Sequence, residues 1–378
     1  MKSSLQNYLP VVIPFLKAIN CSDINLQNIS IIASAFSSRV TQVFGFEIPL
    51  MPYRHSIDFG FPVNAQSASI ISLMDTISRH LSVSSQMEEK ASREILLSFL
   101  QKRNDPTHFF STGITDMWLE YDIPEQPITV PPFPILFFTF PWQQEKKENH
   151  RSLTMLHINS ILTEFKNIDY TAAQQLINHQ LPNFLNKTGL RVYNIGIMPS
   201  RYYAGLRLSL VKISQFPFNP LRQLTNCHHS IVKAEECFTR LAKYCDYSGL
   251  TLDFSDSITG PIGLEWAYKL NRSQPSKILI EGMLDQLIEM GLCLLDFKKP
   301  ILDLIGVSQS ENSFEWPENL KTAEYFFSSA YRPVFNRRIS HFKINIYPDG
   351  IPKAKLYWEI RLLWIPMSHY QLLTKKKV

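Results

Sequence analysis

RISHFKINIYPDGIPKAKLYWEIRL, residues 338–362, reads as two strands folded about a tight turn. Phe342, Ile344 and Ile346 alternate with His341, Lys343 and Asn345 on one side of Pro348, Asp349 and Gly350. On the other side, Leu356, Trp358 and Ile360 alternate with Lys355, Tyr357 and Glu359. Successive side chains on a strand point to opposite faces, so the apolar residues share one face of the pair and the polar ones share the other. A turn centred on Asp349 sets Lys343 opposite Lys355, His341 opposite Tyr357 and Asn345 opposite Lys353.

Working outward, the same order recurs: a helix-patterned stretch, then two short strand-patterned stretches joined by a turn. Five such units are expected, at about residues 20–63, 64–140, 150–213, 228–270 and 275–362. Their helices are expected near Leu26 to Val40, Ala68 to Leu81 with Met87 to Gln101, Leu153 to Leu185, Ile231 to Tyr244, and Lys277 to Met290 ahead of a Gly291 cap. The strand pairs are Val43 to Ile48 with His55 to Phe61, Thr115 to Ile123 with Ile135 to Phe140, Leu190 to Met198 with Gly205 to Ile213, and Thr251 to Ser255 with Ile262 to Leu270. The turns between them are placed at Pro49 to Pro52, Pro124 to Pro134, Pro199 to Tyr203 and Ser257 to Gly260. The stretch from Gly291 to Ala330 carries no readable pattern.

This is an α+β organisation in which one face of nearly every strand is polar. Leu252 and Phe254 alternate with Thr251 and Asp253, and Leu264 and Trp266 alternate with Gly263 and Glu265. Helices must cover the apolar face. The polar face either meets bulk water in an open sheet or lines the inside of a barrel; closure is favoured because open hairpins leave long unpaired edges. The expectation is one domain over residues 1–378, a closed antiparallel barrel of about ten strands with a polar lumen, helices outside and a short basic tail, Lys375 to Lys377.

Composition narrows the function classes. The 378 residues are 45% hydrophobic and 19% charged with a net charge of +5, the balance of a globular protein with a mild preference for anions. The 25 Phe, 15 Tyr and 6 Trp suit a large core or a pocket for a flat or greasy ligand. Five cysteines with no CxxC spacing argue against a disulfide framework or a zinc ribbon and for a reducing, cytoplasmic setting. The segment Tyr8 to Ile19 is too short for a membrane span and is broken by Pro10 and Pro14. Cys227, His228 and His229 are adjacent and have no partner pair at a metal-finger spacing, so no metal site is expected. No Walker loop, GxGxxG, HExxH or GxSxG is present, and no nucleic-acid motif; the basic run from Arg332 to Arg338 reads as surface.

The polar strand faces hold the candidate chemistry. Lys343 facing Lys355 is costly unless an anion lies between them or both heads reach water, and a diphosphate offers acceptors for Lys343, Lys355, Tyr357 and His341, with Arg207 on the same kind of face in the third unit. Glu120 and Asp122 share a strand face; Asp253 and Glu265 are expected to meet across the fourth hairpin. Lumen carboxylates can act as a base, as Mg²⁺ ligands or as partners of the lysines. Glu120 is the preferred base because Trp118 and Tyr121 suggest a desolvating aromatic surrounding.

The repeated helix, strand, strand order, with the Lys355, Leu356, Tyr357 pattern, resembles the ABBA prenyltransferases, the aromatic, indole and cyanobactin-type peptide prenyltransferases. The resemblance covers most of the chain. It implies a five-repeat barrel in which Arg207, Lys343, Lys355 and Tyr357 bind an allylic diphosphate and Glu120 is the base; the strand faces add His341 to the diphosphate ligands and place Trp118, Asp122, Asp253 and Glu265 at the acceptor or elsewhere in the lumen. The fourth hairpin departs from the family pattern, with Gly263, Leu264, Glu265 where a basic pair is usual. The implied activity is prenyl transfer to an aromatic small molecule or a peptide side chain, with Mg²⁺ as an optional companion of the diphosphate and no nucleic-acid or membrane partner. The alternatives are a noncatalytic barrel that binds a peptide or small anionic ligand, as an accessory protein of a biosynthetic pathway would, and a structural protein whose hairpins face water.

Overall fold

The computed structural model describes residues 4–51, 57–64, 66–81, 87–141, 147–165, 170–198, 206–213, 215–224, 228–254, 261–269, 277–311, 313, 315–327 and 330–370. Among the described residues eleven strands are formed: β1 (Val43–Pro49), β2 (Asp58–Asn64), β3 (Asp116–Tyr121), β4 (Ile135–Thr139), β5 (Arg191–Ile197), β6 (Leu206–Ile213), β7 (Tyr247–Phe254), β8 (Ile262–Ala267), β9 (Gly306–Ser308), β10 (Tyr331–Ile346) and β11 (Pro352–Pro366). Neighbours pair antiparallel in chain order from β1 to β8; β8 pairs with β10, β10 with β11 and β11 with β1, so ten strands close on themselves. The short β9 lies on the first half of β10, at Phe335, Asn336 and Arg337.

Closure follows from the alternation. Leu208, Leu210, Leu250, Leu252, Leu264 and Trp266, all without exposed surface, point outward under the helices. Trp358 packs against Phe15 and Phe46 and donates its indole N–H to the Leu304 carbonyl at 3.0 Å. Burying a side chain of this size removes enough apolar area from water to contribute about 2–3 kcal/mol. A closed sheet buries that face all round and leaves no edge to aggregate.

The expected elements recur with shifted ends. The first helix spans Asp23–Ala35 because the Ser22 side chain accepts the Asn25 N–H and caps it, and Phe36 turns extended. The fourth starts at His228, runs to Leu241 and tightens into a 3-10 turn over Ala242–Tyr244. The helix Lys277–Glu289 closes at Gly291, whose φ of 69° is left-handed as a glycine cap requires. In the last hairpin Gly350 has φ 80° and the Asp349 carboxylate accepts the Ile351 N–H.

Two expectations are corrected. The unreadable stretch before Ala330 holds a 3-10 turn, the helix Lys298–Asp303, β9 and the helix Glu318–Phe327, elements too short to show a period. The run from Arg332 to Arg338 is the first half of β10 and not surface: Arg337 and Arg338 are 7% and 3% exposed. Arg337 lies over the Phe15 ring at 3.8 Å and donates to the Asp303 and Leu304 carbonyls, capping the helix before β9. His55, Cys227, the turns at 199–203 and 257–260 and the tail at 375–377 lie outside the described residues. No helix among the described residues is long and apolar enough to cross a membrane.

Candidate functional site

Cross-strand register decides which polar side chains meet inside the barrel. Lys343 stands opposite Lys355, His341 opposite Tyr357 and Asn345 opposite Lys353, as the turn at Asp349 requires. The two lysines do not share an anion and do not fan into water. Lys343 donates to Glu265 of β8 at 3.0 Å, and Lys355 donates to Glu47 of β1. The Tyr357 hydroxyl donates to the second oxygen of Glu47. His341 stacks on Tyr357 with ring centroids 4.0 Å apart and planes 16° from parallel. Arg207 of β6 forks onto Asp253 of β7, Nε and Nη2 donating at 2.6 and 2.8 Å.

These pairs correct one expectation. Asp253 and Glu265 do not meet: β7 and β8 pair Gly249 with Glu265 and Thr251 with Gly263, leaving Asp253 beyond the ladder toward Arg207. Each carboxylate answers a cation on a different strand.

Burial opposes every one of these charges, and the partners decide the balance. Glu47 is held well below the carboxylate range because Lys355, Tyr357 and Lys343 outweigh its desolvation. Glu265 is lowered in the same way, by Lys343, His341 and Arg207. Lys355 is raised against its burial by Glu47, Asp58 and Glu120, and Arg207 against its burial by Asp253 and more distantly Tyr357 and Glu120. Lys343 is pulled down by burial, with Arg207 adding to it and Glu265 resisting. Burial also lowers His341, which favours the neutral ring; Lys343 acts in the same direction, against Glu265, Glu47 and Glu359.

Glu120 projects from β3 on the lumen face, between Gly60 of β2 and Ile135 of β4. Its field reaches Arg207, Lys355 and Tyr357, so the barrel gathers the expected base and the expected diphosphate ligands in one space. Trp118 lies one lumen position away with Phe137 as its cross-strand partner, both partly exposed. Asp122 follows the end of β3 and is half-buried. Tyr121 does not line this space: it points outward, 2% exposed, against Phe36 and Phe61. Adjacent strand residues face opposite ways, so Trp118 and Glu120 belong together and Tyr121 belongs to the core.

Sequence reading missed two groups. Glu47 and Asp58 are direct cross-strand neighbours on the lumen face, and Asp58 accepts the Ile123 N–H at 3.0 Å. Their signal was the alternation of Gly45 and Glu47 with Phe44, Phe46 and Ile48. At the opposite end of the lumen Arg338 donates Nε to Glu359 Oε1 at 2.8 Å, and Arg361 donates Nε to the same oxygen. Tyr193 and Tyr247 stand beside them: each is 38% exposed, yet each lies in the field of Glu265 and Glu359 from other strands, so the exposure is to the lumen.

Among the described residues no three carboxylate, imidazole or thiolate groups converge as a metal site. Glu47 is engaged by Lys355 and Tyr357, and Asp58 by the Ile123 amide. His228 and His229 open the helix above the Gly350 turn, where His228 Nδ1 accepts from Arg222 at 3.1 Å.

No protein-family model matches the sequence. No curated protein matches it either. Among solved structures the chain resembles AnaPT from Neosartorya fischeri, with a TM-score of 0.57, 11% identity and 93% of each chain covered. It also resembles the 5-dimethylallyltryptophan synthase from Streptomyces coelicolor, with a TM-score of 0.52, 10% identity, and 94% of this chain and 97% of that chain covered. At such identities the likeness is one of architecture: the chain folds as the ABBA-type prenyltransferase barrel.

Proposed function

We propose that the barrel transfers a prenyl group from an allylic diphosphate to an electron-rich acceptor, an aromatic small molecule or a peptide side chain. The observation that carries this reading is the meeting of Arg207, Lys343, Lys355 and Tyr357, from three strands, in one buried space, with Glu120 in the field of Arg207, Lys355 and Tyr357. The allylic carbon–oxygen bond ionises, and the departing diphosphate takes hydrogen bonds from the two lysines, Arg207 and Tyr357. The faces of Trp118 and Phe137 shield the allylic cation. The acceptor forms the new bond to carbon, and Glu120 receives the proton that the acceptor loses.

The cations are held in place before the donor arrives. Glu47, Glu265 and Asp253 occupy them, and a diphosphate, with more charge and more acceptor oxygens than any one carboxylate, exchanges with these partners. That same pairing favours the second reading, a barrel that binds an anionic ligand or peptide without turnover, since a self-neutralised lumen is stable with no donor present.

Calorimetric titration with dimethylallyl, geranyl and farnesyl thiodiphosphates separates the outcomes. Saturable binding that disappears in the Lys343→Ala, Lys355→Ala double variant, with diphosphate release from the true donors, supports transfer. Binding without release supports the second reading, and no binding at all rejects a diphosphate site.

A further inference from the structure

We infer that the Arg338 and Arg361 end of the lumen is a docking site for an acceptor that carries a carboxylate. The inference rests on the transfer reading above and names the acceptor class that this lumen takes. Both guanidiniums use Nε on a single oxygen of Glu359. An arginine has five N–H donors in a planar fork. Among the described residues the η-nitrogens of both have no protein hydrogen-bond acceptor, and they form the edge that matches a carboxylate in bidentate fashion.

The local charge balance points the same way. Two cations share one carboxylate here, whereas Lys343, Lys355 and Arg207 each have one of their own. The nearby acids do not supply the difference: Glu265 accepts from Lys343, and Asp116 sits in the field of Arg103. Two guanidiniums on one oxygen repel each other in a partly desolvated space, and a second anion relieves that repulsion. Tyr247, in the field of Arg338, and Tyr193 add phenol donors and ring faces.

The register then lays out where such an acceptor lies. Arg338 is opposite Glu359, Glu359 opposite Gly45, Gly45 opposite Gly60 and Gly60 opposite Glu120. This single cross-strand row joins the arginine site to the proposed base, with two glycines between them. A Cβ on Gly45 would lie 2.7 Å from the Trp358 carbonyl, closer than packing allows, and one on Gly60 would lie 3.0 Å from the Leu119 carbonyl, a tight contact that requires the backbone to give. From Glu359 to Glu120 the row crosses three strand spacings, about 14 Å. Allowing for the reach of both side chains, that length suits a flat aromatic acid with its carboxylate on the arginines and its ring beside Glu120 and Trp118.

The test compares indole-3-propionate and 3-(4-hydroxyphenyl)propionate with their primary amides by calorimetry, on the wild type and on Arg338→Gln, Arg361→Gln and Glu359→Gln. The expected result is at least a tenfold preference for the acids in the wild type, lost in both arginine variants. Glu359→Gln, which frees both guanidiniums, tightens the acids about tenfold, a gain that mere structural damage does not produce. Arg361 is a third exposed, so its variant keeps the test open should Arg338→Gln fail to fold. No acid preference in the wild type, including no binding of either form, overturns the inference, as does a preference that survives Arg361→Gln. Geranyl thiodiphosphate titrated into the same variants keeps the two readings apart. Binding lost in the arginine variants assigns them to the donor and overturns the inference; no binding even in the wild type, with the acid preference intact, rejects the transfer reading alone.

Discussion

The two ends of the lumen carry opposite surpluses. At the end toward the Asp349 turn, Glu47, Asp58, Glu120 and Asp253 surround Lys355 and Arg207. At the end where the helices enter and leave, Arg338 and Arg361 share Glu359. A cation matched by its own carboxylate is preorganised but occupied, and an anion reaches it only by exchange. A pair of cations on one carboxylate has donors left over and takes an anion directly. One barrel thus offers two kinds of anion site, and they differ in what must leave before a ligand binds.

The largest effect is expected at the proposed base. Glu120→Gln should lower kcat by 10²–10⁴, the usual worth of a positioned general base, while thiodiphosphate binding is retained. Equal losses of kcat and of donor binding would show Glu120 to be part of the cation network instead. Next, replacing Lys343 and Lys355 by Ala should weaken thiodiphosphate by about 10² or more, because each charge-assisted hydrogen bond contributes about 1.5–3 kcal/mol. Arg361→Gln should leave that affinity within about twofold, and a comparable loss in both variants would erase the distinction between the ends.

Stability should separate the ends as well. Glu47→Ala leaves Lys355 buried without its partner and should cost about 3–5 kcal/mol in denaturant unfolding, as for other broken buried pairs. Arg361→Gln removes a guanidinium that is itself a third exposed, and leaves Glu359 its bond to Arg338, so it should cost less than about 1 kcal/mol. The smallest effect is in pH. His341 is held below its ordinary 6.5, so the unfolded chain takes up the proton first, and stability present above that value is lost as pH falls through it. His341→Asn should flatten the Tm profile between pH 6.5 and 5 relative to the wild type. Both proteins should then lose stability below about 4.5, where Glu47 and Glu265, held lower in the folded state, resist protonation. A wild-type profile that is already flat above pH 5 would assign His341 no such role.

Legibility varied with the range of the interaction. The last hairpin, its turn and its register were readable because Asp349, Gly350 and the alternation on both sides act within about ten residues of one another. Lys343, Lys355 and Tyr357 were therefore found as lumen residues, and Arg207 and Glu120 by the alternation within their own strands. Their partners were not: Glu47 lies more than 300 residues from Lys355 in sequence, and no local pattern links them. Arg338 was hidden by its neighbours, since a run with Pro333 and three arginines looks solvated until β9 and β11 pair with it. Tyr121 was misplaced by proximity to Glu120, an error that strand alternation itself corrects.

By itself the sequence determined which residues face the helices and which face away, because alternation at period two and burial of apolar area act along the chain. It determined the hairpins and, through the need to remove edges, the barrel. Only the tertiary structure decided which cation met which carboxylate, and therefore where a surplus of donors remained. Coulombic attraction acts through space, and closing β1 onto β11 brought together charges from the two ends of the chain.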